Sequence, residues 1–167
     1  MDKIYQRIGE FVVCFQWLED LIRQIGWFII DPERKVWPPQ DLREESNSQL
    51  LHKVEKLYYE ILEKNDIPDS TNRKKKFSNL ISECHEFRKY RNNLLHSAYI
   101  ELKGGGEVID LMRSNPKLAT GEQGEYIFDN EIMTEEKLNA VMTELGKVSF
   151  ALGVEYRQLI QWIPLLK

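Results

Sequence analysis

Counting from Ile4, apolar residues recur at Ile4, Ile8, Phe11, Phe15, Leu18, Ile22, Ile25 and Ile29, in alternating steps of four and three. With about 3.6 residues per helical turn, this spacing places them on one stripe of a long helix. Such a stripe must be buried against other elements, so the chain is committed to helix packing from its first residues. Asp31-Pro32 ends the pattern, because proline lacks a backbone donor and disfavours helix in the residue before it.

A linker containing Trp37-Pro38-Pro39 follows, and Leu50, Val54, Leu57 and Ile61 mark a second helix stopped by Asn65-Asp66-Ile67-Pro68. Arg73-Lys74-Lys75-Lys76 leads into a third helix with its seam at Phe77, Leu80, Cys84, Phe87, Arg91, Leu94 and Ala98. Beyond it, Tyr99–Leu102, Val108–Met112 and Tyr126–Phe128 read as short strands separated by turn residues, a small insertion of two or three strands. Thr134-Glu135-Glu136 then starts a last helix through Leu138, Val141, Leu145, Val148, Leu152, Tyr156, Leu159 and Ile163. The expected fold class is all-α: a bundle of four main helices with a small β-hairpin insertion, about residues 99–129, between the third and fourth. A length of 167 residues suits a single domain over 1–167.

Composition narrows the functional classes. A net charge of −4 argues against broad, sequence-blind adhesion to nucleic acid, so any RNA contact must be local. No apolar run is long enough to span a membrane, and the charged amino terminus does not resemble a secretory signal, which predicts a cytoplasmic protein. Cys14 and Cys84 are flanked by apolar residues at helical spacing and read as buried free thiols. His52, His85 and His96 show no zinc-type pairing with them, so no metal or other cofactor is expected. Gly104-Gly105-Gly106 lacks the lysine and context of a phosphate loop and reads as a hairpin tip. Trp17, Trp27, Trp37 and Trp162 read as core or interface residues.

One residue breaks the third seam. Leu80, Cys84, Phe87, Leu94 and Ala98 all project within roughly 60° of Arg91, placing a permanent cation inside an apolar stripe. A guanidinium there needs a carboxylate such as Glu19 or Glu55, an interface, or a bound anion such as phosphate. Asn92 and His96 stand four residues apart on one face and border that stripe, with His85 in line two turns back.

The segment Arg91-Asn92-Asn93-Leu94-Leu95-His96 resembles the R-x-x-x-x-H motif of the HEPN superfamily, including the polar residue that follows the arginine. The resemblance implies a homodimer in which two copies of the motif form one RNase site. It implies metal-independent cleavage, in which the ribose 2′-hydroxyl attacks the adjacent phosphate and leaves a cyclic phosphate end. The residue types suit that chemistry. An imidazole, with an ordinary pKa of about 6.5, can accept the hydroxyl proton, and a guanidinium can hold the pentacoordinate phosphate through paired donors. Arg91, His96 and Asn92 are thus the candidate catalytic residues, with Arg88, Lys89, Arg73, Lys74 and Lys75 as candidate RNA contacts. An exposed basic run is, however, more often a solvated face than an RNA contact.

The implied partners are RNA, a second copy of the chain, and an antitoxin or regulatory protein, in a toxin or defence setting. In toxins of this superfamily silenced by nucleotide transfer, a tyrosine stands two residues after the histidine. Here that position is Ala98 and the tyrosine is Tyr99, a departure that argues against such control. The alternative function is a non-catalytic HEPN-like module that binds a nucleotide, an RNA or a partner protein.

Overall fold

A computed structural model describes residues 2–35, 39–118 and 126–163. Among them the element order is α1 (Asp2–Ile30), α2 (Gln40–Arg43), α3 (Asn47–Lys64), α4 (Ser70–Leu95), β1 (Ala98–Gly104), β2 (Glu107–Leu118), β3 (Tyr126–Met133) and α5 (Glu135–Trp162). The chain divides into two compact units. One comprises Met1–Cys14 with Lys89–Glu144, the other Phe15–Arg88 with Leu145–Lys167.

The second unit is helical. Phe15, Leu18, Ile22 and Ile25 of α1 are buried, as the seam predicts, whereas its last turn buries Phe28 and leaves the expected Ile29 half-buried. Gly26 permits close helix approach, because a Cβ there would come within 2.9 Å of Val54 Cγ2. Helix α3 begins with a capping box: Ser46 Oγ accepts from Gln49 N–H, and the Gln49 side chain accepts from Ser46 N–H at 3.1 Å. Its buried face is Leu50, Leu51, Val54, Tyr58 and Leu62, whereas the expected Leu57 and Ile61 are only half-buried. The seam is rotated because Tyr58 carries the largest apolar area and stacks on Phe77, ring centroids 3.9 Å apart. In α5, Leu145, Val148, Leu152 and Leu159 are buried together with Glu155, as is Ile163 just past its end.

In the first unit the three strands form an antiparallel sheet of order β1-β2-β3. Gly104 pairs with Glu107, leaving a two-residue turn at Gly105 and Gly106 with φ of 62° and 92°. Positive φ at both positions is the primed turn that matches strand twist, and glycine adopts it without steric cost. The central strand tolerates Pro116 because β1 reaches only as far as Ser114, leaving β3 as the sole neighbour there.

Several expectations need correction. The fold is mainly helical and not all-α: the insertion is a three-stranded sheet from Ala98 to Met133, longer than the hairpin placed at about 99–129. The last strand runs on past Phe128 to Met133 through Asp129-Asn130-Glu131, a polar run that pairs with Asn115, Ser114 and Arg113 of β2. Ala98 is an exposed strand residue and not part of the α4 seam. Trp17 is 68% exposed and so is not a core residue, and Cys14 is half-buried while Cys84 is buried, both as free thiols. The Trp37-Pro38 reading lies outside the described residues. No helix among the described residues is long and apolar enough to cross a membrane.

Candidate functional site

Helix α4 ends at Leu95 because three successive carbonyls of its last turn find partners beyond it. His96 N–H donates to Asn92 O at 3.0 Å, the Ser97 hydroxyl donates to Asn93 O, and the Tyr99 hydroxyl donates to Leu94 O at 2.9 Å. The last helical backbone bond thus closes on Asn92, and two side chains satisfy the next two carbonyls, which a helix end would otherwise leave to water. Arg91 and Asn92 are half-buried and His96 is exposed. Arg91 Nη1 donates to Asn92 Oδ1 at 3.0 Å, so the amide holds one arm of the guanidinium. The arginine and the amide are brought together, and the imidazole follows one turn later on a backbone tied to Asn92. Chemically this offers a cation with a fork of donors and, five residues on, a solvent-reaching imidazole.

Asn93 faces a different network. Its Oδ1 accepts from Asn115 Nδ2 at 3.3 Å, while its backbone carbonyl accepts from Ser97. Ser97 Oγ in turn accepts from Arg113 Nη1 at 3.3 Å. Arg113 is only 5% exposed. Its Nη2 lies 3.0 Å from Glu131 Oε2 and 3.5 Å from Asp129 Oδ2, so the buried cation is neutralised twice. Such pairing is what makes burial of a guanidinium tolerable. Glu131 stands directly opposite Arg113 in the β2–β3 register and also receives Lys137 Nζ at 3.3 Å.

Two tyrosines pack beside this network. Burial, reinforced by the Glu131 carboxylate and opposed by Arg113, pushes the Tyr90 hydroxyl up to about 12. Burial likewise raises Tyr99, again opposed by Arg113. Both are therefore protonated phenols at neutral pH.

The candidate RNA contacts fall into two groups. Lys89 is exposed and belongs to the unit that holds Arg91, Asn92 and His96; Arg88, half-buried, belongs to the other. Arg73 is engaged internally: Nε donates to Pro68 O at 3.0 Å, Nη1 to Gln158 Oε1 at 2.8 Å, and the guanidinium lies 4.5 Å over the Trp162 ring. Lys74 pairs with Glu63 and lies 5.6 Å over the Tyr59 ring. Lys75 is exposed. Lys76 reaches the buried Glu155 at 2.6 Å, and Tyr58 donates to the same carboxylate at 2.8 Å.

Among the described residues no three His, Cys, Asp or Glu side chains converge as a metal site requires. His52 and His85 lie near each other, ring centroids 5.1 Å apart. The chain matches no family model, no curated protein and no solved structure.

Sequence reasoning missed Arg113, Ser97 and Asn93 as a linked group. The available signal was strand alternation through Leu111 and Arg113, but Val108, Ile109, Leu111 and Met112 are apolar on both faces, which hides the inward side.

Proposed function

We propose that this chain is a HEPN-type, metal-independent endoribonuclease acting as a homodimer, in the role of a toxin or defence effector held in check by an antitoxin or regulatory partner. On this reading the long helices are the bundle of that superfamily, with the sheet inserted before the last helix. The observation that carries the proposal is the end of α4: Arg91 hydrogen-bonded to Asn92, and an exposed His96 whose backbone closes on the Asn92 carbonyl.

His96 is the general base that takes the proton of the ribose 2′-hydroxyl. The resulting oxygen attacks the adjacent phosphate, the 5′-oxygen of the next nucleotide departs, and a 2′,3′-cyclic phosphate remains. Arg91 stabilises the charge gathered on the phosphate in the transition state, and Asn92 orients the guanidinium. DNA, lacking the 2′-hydroxyl, is spared.

The test is expression toxicity together with the chemistry of the RNA ends. Wild type should arrest growth and leave 2′,3′-cyclic phosphate ends in the presence of a chelator, and His96→Ala should do neither. A harmless wild type that binds RNA, nucleotide or protein without cutting would replace this reading with the non-catalytic module.

A further inference from the structure

We propose that Arg113, on the central strand, is a positioning residue for His96. The inference rests on the ribonuclease reading and deepens it.

The chain of contacts is short. Glu131 and Asp129 hold one end of the Arg113 guanidinium, at 3.0 and 3.5 Å. Its other arm donates to Ser97 Oγ at 3.3 Å, and Ser97 donates to the Asn93 carbonyl. Ser97 directly follows His96, and His96 N–H is itself bonded to Asn92 O. The backbone of His96 is therefore gripped on both sides while its side chain stands exposed. A general base must be held in place to act, and a displacement of about 1 Å can cost on the order of 10²-fold in rate.

Arg113 does not itself meet substrate, since it is almost wholly buried and already paired with two carboxylates. Lysine could keep one ion pair but lacks the planar fork that reaches a carboxylate and a hydroxyl together.

The link is tested with Ser97→Ala and Arg113→Lys. Arg113→Ala would remove from a buried position the cation that Asp129 and Glu131 share and risks unfolding, so it is not the variant of choice. The first readout needs no RNA: the order parameter of the His96 amide by 15N relaxation on the full chain. Both variants should lower it from about 0.85 to below about 0.6, while the Leu111 amide on the same strand keeps its value. The second readout is cleavage, where kcat should fall by on the order of 10- to 100-fold with KM unchanged. The double variant should be no worse than Ser97→Ala alone, because both act through one contact.

Unchanged His96 order in both variants, with only a lower melting temperature, would overturn the clamp. Lowered order with wild-type kcat would overturn its catalytic consequence. A wild type that cuts no RNA would overturn the ribonuclease reading and, with it, that consequence, while the relaxation result still decides whether Arg113 anchors His96.

Discussion

The two ends of α4 both carry cations, and they use them differently. At the start, Arg73, Lys74 and Lys76 are absorbed by Gln158 and Trp162, by Glu63 and Tyr59, and by Glu155. At the end, Arg91 keeps an amide at its side and His96 stands in the open. The sequence marks the first end more loudly, with four basic residues in a row, yet the quieter end carries the residues proposed as catalytic. Charge density says little about function until the partners of each charge are known, because a paired cation is a structural part and a solvent-reaching imidazole is a chemical one.

The contrast breaks most visibly if the two ends respond alike to mutation. His96→Ala should lower RNA cleavage by on the order of 10²–10⁴-fold and leave the melting temperature within a degree or two of wild type, since it removes an exposed side chain. Arg91→Ala should cost similar activity and weaken RNA binding as well, with Arg91→Lys a partial rescue. Cleavage and binding assays beside calorimetry would show this; a steep fall in stability for either alanine variant would make the end of α4 structural too.

At the other end the signs reverse. Lys76→Met leaves Glu155, 1% exposed, with the Tyr58 hydroxyl but without its cation. Lys76 is itself half-exposed, so the expected loss, about 2 kcal/mol in urea unfolding, lies below that of a fully buried pair. RNA cleavage under folding conditions should not change. Burial, reinforced by the same carboxylate, raises the Tyr58 hydroxyl well above its ordinary value.

Much of the fold was legible because its signals are local. The α1 and α5 seams are periodic over many turns, and Asp31-Pro32 and Thr134 punctuate them, Thr134 Oγ1 accepting from Lys137 N–H at 3.3 Å. What was not legible depends on pairing across the chain. Asp129-Asn130-Glu131 is too polar to announce a strand, and becomes one through Arg113 eighteen residues earlier in sequence. Glu155 sits one residue before the expected seam position Tyr156, and its burial rests on Lys76, 79 residues away. For the candidate site, Arg91, Asn92 and His96 were readable as a spacing, whereas the Ser97–Arg113 link that follows them required the sheet register.

Alkaline pH acts on one group in each unit. Burial pushes the Cys84 thiol up to about 12 from 9.0, and the Tyr90 hydroxyl up to about 12 from 10.0. Both groups bind their proton more tightly folded than unfolded. Their contribution is therefore fully present below pH 9 to 10 and is lost as pH rises through about 12. Melting temperature should fall across that window, and Cys84→Ala and Tyr90→Phe should each flatten part of the slope. A slope unchanged in both variants would show that these groups do not set it.

The smallest effects concern Arg73 and Lys75. Arg73→Ala should cost about 1 kcal/mol of stability through the lost Trp162 and Gln158 contacts. Lys75→Ala should change stability by less than about 0.5 kcal/mol. If Lys75 touches RNA phosphate, its loss should reduce affinity uniformly across sequences and shorten the salt dependence by about one ion. Equal RNA affinity for wild type and Lys75→Ala, over a range of salt, would assign the whole basic run to structure.

The most direct test of the account is single-turnover cleavage of a short RNA by purified wild type and His96→Ala, with chelator present and protein in excess. The account predicts cleavage by wild type that chelator does not slow, 2′,3′-cyclic phosphate ends, and a rate for His96→Ala lower by on the order of at least 10²-fold. Cleavage by His96→Ala at the wild-type rate would contradict it.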